Sequence, residues 1–132
     1  MKPITILLLL MFCLSITSCK TQIDLKHRLY CNITNVDTVM NHRILKNFSN
    51  VNQSADLQIY NSLALITTQS DSIKSRKLRA DLRLYIELTN KIIMLHQDPR
   101  INYDALGPLL NSYTGVTTRL YDKLNDSKMD VK

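Results

Sequence analysis

Glycine appears only at Gly107 and Gly115 and proline only at Pro3, Pro99 and Pro108, so residues 4–98 contain no backbone breaker at all. A protein of several strands needs turn residues every eight to twelve positions. A stretch of this length without them leaves long helices as the arrangement that fits. The apolar spacing agrees. Leu25, Leu29, Ile33, Val36, Met40, Ile44 and Phe48 advance by threes and fours, which lines one helix face and does not alternate as a strand would. Asn and Thr residues lower the intrinsic propensity of this segment, so its helicity has to come from packing.

Three further helices follow from the same reading. After the polar stretch at residues 49–54, Ser54 is a cap for a second helix of about fifteen residues, with Leu57, Tyr60, Ala64 and Leu63 inward. Residues 67–72 are polar and mark the next boundary, with Ser70 or Ser72 capping a third helix that ends at Gln97, before Asp98-Pro99. Its core stripe is Leu78, Leu82, Tyr85, Thr89, Ile92 and His96, widened by Ile86 and Ile93. A last helix starts with Pro108 at the first helical position and Gly107 before it. Leu109, Leu110, Tyr113, Val116, Leu120 and Leu124 form its apolar face. The predicted fold is all-α: a small antiparallel bundle of about four helices over residues 23–125, with a polar tail at 126–132. The alternative is one long helix running through residues 67–72, which gives a three-helix rod.

The first nineteen residues read differently. Lys2 precedes an apolar run over residues 4–14, and small polar residues follow. The run is too short for a transmembrane helix, which takes about twenty residues, and has the architecture of a secretory signal. Its end, Ile16-Thr17-Ser18-Cys19, resembles the lipobox of bacterial lipoproteins. That resemblance implies a diacylglycerol on the Cys19 thiol, removal of residues 1–18 as a signal peptide, and an acyl chain on the new amino group. Residues 19–22 then form a lipidated N-terminus and short tether. Lys20 stands where an aspartate would favour inner-membrane retention, so the resemblance implies the outer membrane, facing the periplasm or the surface. Ordinary signal cleavage, giving a secreted protein, is the competing reading.

Removal of the signal leaves 114 residues, enough for one modest core without disulfides or metal. Cys13 leaves with the signal and Cys19 takes lipid, so Cys31 is alone; it is expected at the edge of the first apolar stripe as a buried, inert thiol. His27, His42 and His96 lack the spacing of a metal site, and His96 is expected to hydrogen-bond across the bundle. Glu87 is the single glutamate, which excludes a bundle di-metal site with its several glutamates. No nucleophile elbow or phosphate loop is present, and no catalytic residue is assigned. No cofactor is expected beyond the covalent lipid, and no small-molecule substrate is evident.

The formal charge of +6 is diffuse and does not call for nucleic acid. Its densest part is residues 74–83, where Arg76, Lys77, Arg79 and Arg83 cover the polar side of the third helix. They are candidates for docking an acidic partner or anionic head groups, against the plainer reading of a solvated face. Four Asn-x-Ser/Thr matches, at Asn32, Asn47, Asn52 and Asn125, arise by chance in an Asn-, Ser- and Thr-rich chain. The functional expectation is a lipid-anchored helical adaptor that binds other envelope proteins. In size, lipobox and helicity the chain resembles the accessory lipoprotein of the Bacteroidetes-type type VI secretion system. The other class is a secreted helical ligand or signalling protein without an anchor.

Overall fold

A computed structural model describes the backbone of residues 3–48, 50, 52–97 and 103–129, and the side chains of residues 5, 22–48, 50, 52–97 and 104–125. Among the described residues the chain is helical without strands: α1 (Pro3–Val39), α2 (Gln53–Ser70), α3 (Arg76–Gln97) and α4 (Tyr103–Met129). Helix α1 packs on α2 and α4, and α3 packs on the same two from the other side, so the four close into an up-down-up-down bundle. The break at residues 71–75 separates α2 from α3, so the continuous-rod alternative is set aside.

Helix α1 passes through residues 20–22, expected as a tether, without interruption. Its stripe of Leu29, Ile33, Val36, Met40 and Ile44 is buried to within 1 % exposure. Each step of four over-rotates an α-helix by about 40°, and three follow one another from Val36 to Phe48. The chain absorbs the drift by widening: Met40–Ile44 is a π turn, closed by the Leu45 N–H on the Met40 carbonyl, before a 3₁₀ turn at Leu45–Asn47. Met40, Ile44 and Phe48 thereby all stay in the core.

The third helix matches its sequence reading closely. Leu78, Leu82, Tyr85, Thr89, Ile92 and His96 are all buried, joined by Leu88 and Ile93. Buried Thr89 meets its hydroxyl's needs within the helix, donating to the Tyr85 carbonyl at 2.7 Å, and Thr117 does the same on Tyr113 in α4.

Helix α2 is rotated from expectation. Its core face is Ala55, Asp56, Ile59, Leu63 and Ile66, while Leu57 (60 % exposed), Tyr60 and Ala64 point outward. Its cap is Asn52, whose side chain accepts from the Ala55 N–H at 3.1 Å; Ser54, the expected cap, lies inside the helix. Helix α4 begins five residues before Pro108, which therefore has no N–H to offer the Asp104 carbonyl. Burial of Leu106 in the core offsets that lost bond and extends the helix backwards.

Candidate functional site

The lower end of the bundle is held by Gln22. Its side-chain amide donates to the Ser72 carbonyl at 3.0 Å and accepts from the Lys74 N–H at 3.4 Å. Ile73, buried between them, pins the same loop from the core side. The loop delivers the chain to Ser75, which caps α3: its hydroxyl accepts from the Leu78 N–H and its carbonyl from the Arg79 N–H. Neither expected cap, Ser70 nor Ser72, has that role; Ser70 is buried at the end of α2 and donates to the Thr67 carbonyl. Cys19 lies one turn of α1 before Gln22, and its side chain is outside those described.

The cap places Arg76 and Lys77 in the first turn of α3, exposed, with Arg79 half-buried and Arg83 exposed further along. Arg76, Arg79 and Arg83 follow one another at helical spacing on the side away from the core, and Lys77 stands off to one flank. The first turn contains no acidic residue. Among the described residues none of the four pairs with a carboxylate. Asp81, the nearest acid on α3, is taken by Lys123 at 2.6 Å and Arg119 at 3.4 Å.

At the opposite end His96 makes the cross-bundle bonds expected of it. Nε2 donates to the Asn50 carbonyl at 2.9 Å, since that oxygen only accepts, and Nδ1 lies 3.1 Å from Asp56 Oδ1. Gln97 donates to the other Asp56 oxygen at 3.1 Å, and the Phe48 ring lies over the imidazole with centroids 5.3 Å apart. Both ionisable groups are fully enclosed. This arrangement ties α2 to α3 and the α1–α2 connection; Asn50 lines a surface cleft with Arg43 and Asn52, while the Asp56 and His96 side chains lie behind it, enclosed.

A third polar cluster was not legible in the sequence. Asp37 on α1 accepts from Tyr113 at 3.2 Å, Tyr121 at 3.5 Å and Asn41 at 3.1 Å, at the back of a cleft of about 300 Å³ between α1 and α4. Tyr30 meets Tyr121 edge-on, and Tyr85 stacks on Tyr113. The Tyr85 hydroxyl lies beside that of Tyr113 but is buried without a hydrogen bond of proper geometry. Burial pushes the Tyr85 and Tyr113 phenols above their ordinary range; the neighbouring phenol adds most to the first and Asp37 to the second. Residue spacing of 76 between Asp37 and Tyr113 leaves no local signal for such a cluster.

Cys31 is corrected: it is exposed, with its sulfur 3.9 Å from His27 Nε2, because residue 31 falls outside the Leu29–Ile33 stripe. His27 and His42 are exposed. Among the described residues no group of three or more His, Cys, Asp or Glu is placed to hold a metal ion, and no helix is long and apolar enough to cross a membrane. No family model, curated protein or solved structure matches this chain.

Proposed function

We propose that the chain is a lipid-anchored helical adaptor of a bacterial cell envelope, held in the membrane through Cys19 and binding another envelope protein through the outer side of α2. The anchor reading rests on the lipobox residues Ile16-Thr17-Ser18-Cys19. Two or three acyl chains on one residue, each contributing about 0.8 kcal/mol per buried methylene, suffice for a lasting attachment.

The observation that carries the adaptor reading is the double-sided apolarity of α2. Its inner side fills the core, while Leu57 and Leu65 on the outside are 60 % and 54 % exposed, and Tyr60, on the flank toward Gln97, is 37 % exposed. A helix apolar on both sides is normally covered on both. Burying one such leucine fully contributes about 1.5–3 kcal/mol to association. The function is binding rather than catalysis, at the outer membrane, facing the periplasm or the surface. A secretion apparatus is the proposed assembly, on the resemblance in size, lipobox and helicity noted above.

Two measurements test this. Mass spectrometry of the protein from membranes should find Cys19 as an acylated first residue, and Cys19→Ser should abolish labelling by palmitate. A photo-crosslinking residue at Leu57 should give one discrete envelope-protein adduct in cells, whereas the same residue at Lys91 on α3 should give none. A free, unmodified N-terminus would refute the anchor, and identical crosslinking at both positions would refute the α2 surface.

A further inference from the structure

We infer that the bundle end beside residue 19 is a second membrane contact, an anionic-headgroup surface made by Arg76, Lys77 and Arg79 at the start of α3. The inference rests on the anchor reading of Cys19 and adds a partner to it, the lipid surface itself.

Two independent observations meet here. The first is position. Gln22 stands about 4.5 Å along α1 from Cys19 and binds the backbone of Ser72 and Lys74, so the start of α3 lies level with the first turn after the anchor. Acyl chains on Cys19 bring that level to the headgroups, within reach of arginine and lysine side chains that extend outward from the helix. The second is charge. Arg76 and Lys77 stand at the positive pole of the α3 dipole, where cations are disfavoured and acids are the usual occupants, yet the turn has no acid. Along the middle of the bundle Lys91 has Glu87, and Arg119 and Lys123 share Asp81, whereas Arg43 at the far end has only the neutral Gln58 amide. At the end beside residue 19, Arg76, Lys77 and Arg79 outnumber the exposed Asp24 and Asp71 and pair with no carboxylate among the described residues.

A phosphate-bearing surface resolves both conflicts, since it pairs the side chains and suits the helix pole. An acidic protein offers the same charge but must enter between the bundle and the bilayer to which the bundle is attached. Geometry therefore favours the lipid. The contact fixes which side of the bundle faces down and leaves the outer side of α2 free for a protein.

The test uses the lipidated protein with Cys31→Ser and a single environment-sensitive dye, placed at Ala80→Cys beside the basic turn or at Gln53→Cys at the far end. It is reconstituted in phosphatidylcholine vesicles with or without one-third phosphatidylglycerol. Flotation with neutral vesicles reports the anchor alone. The dye at residue 80 should shift to the blue and be quenched by headgroup-linked quencher only in the anionic vesicles, while the dye at residue 53 stays unchanged in both. Arg76→Glu, Lys77→Glu and Arg79→Glu together should lower that quenching at least tenfold, as should 1 M salt, with flotation and the helical circular dichroism intact. Quenching that ignores phosphatidylglycerol, or survives the reversals, overturns the proposal. So does an acidic protein captured through these residues with no response to the lipid. Failure to float with neutral vesicles removes the anchor reading, and this one with it.

Discussion

Tyr85 and Tyr113 stack with ring centroids 5.6 Å apart and 27° between their planes, yet only the Tyr113 hydroxyl has an acceptor, Asp37. Two neighbouring phenols should therefore respond to loss of the hydroxyl with opposite signs. Tyr85→Phe removes a buried, unsatisfied group and should stabilise the fold by about 1 kcal/mol. Tyr113→Phe removes a bond to a carboxylate and should cost about 1.5–3 kcal/mol. Urea midpoints of the two variants, measured beside the wild type, decide it; two shifts of the same sign would mean that the hydroxyls share one bond.

The same pair sets an alkaline limit. Burial raises both phenols above the unfolded value of about 10, so below that pH folded and unfolded chains hold the same protons and stability is unaffected. Above about pH 10 the unfolded chain releases protons that the fold retains, and stability falls progressively until the raised values are passed. Thermal midpoints between pH 8 and 11.5 should drop in the wild type. The double variant Tyr85→Phe, Tyr113→Phe should show a shallower fall.

Leu82 and Arg83 are adjacent in sequence and opposite in environment, the first wholly buried and the second exposed. Leu82→Asp should cost several kcal/mol, a large part of the 5–15 kcal/mol typical of a small domain, whereas Arg83→Asp should stay within about 0.5 kcal/mol. Equal melting temperatures would contradict the placement of the α3 core face.

Asp56 and His96 form an enclosed hydrogen-bonded pair, with Gln97 and the Asn50 carbonyl completing the cluster. Removing one partner leaves the other buried alone. Asp56→Leu and His96→Leu should each cost at least about 1–3 kcal/mol, and the double variant clearly less than their sum. Additive losses in a double-mutant cycle would show that the two groups act separately.

On α2 the expected and observed faces can be told apart directly. Ile59→Ser should lose about 2–4 kcal/mol through a core cavity and a buried hydroxyl, while Leu57→Ser should leave the isolated protein within about 0.5 kcal/mol of the wild type. Denaturant titration of the two, side by side, is sufficient.

How far the sequence carries the reader differs from helix to helix. The stripe from Leu78 to His96 was legible because α3 has one apolar side and a charged one, and a single periodicity runs through it. Helix α2 has Leu57, Tyr60 and Ala64 on one side and Ala55, Ile59, Leu63 and Ile66 on the other; period alone cannot choose between them. The buried face also carries Asp56, whose burial is compatible only with its partner His96, forty residues away, and so has no local signal. Pro108 misled in a similar way, because its local preference for a first turn yields to the burial of Leu106. Of the candidate site, the four basic residues and the exposure of three of them were readable. That they stand level with Gln22 was not, since the bond joining them is made by an unremarkable glutamine fifty residues from Ser72.

The unbroken course of α1 past residue 19 has a mechanical meaning. A chain hung from its lipid by a floppy linker explores a hemisphere, and the height of its working surface is undefined. Here the residue proposed to carry the lipid is in the same rigid rod that reaches Val39, about 30 Å away. A rod seated at its base turns attachment into a standoff: whatever binds the outer side of α2 is met at a set elevation above the bilayer, and tilting the rod moves that meeting point by a calculable arc. Inserting two glycines after Thr21, ahead of the Gln22 bonds to the α2–α3 loop, would leave the bundle's surfaces in place while abolishing the standoff.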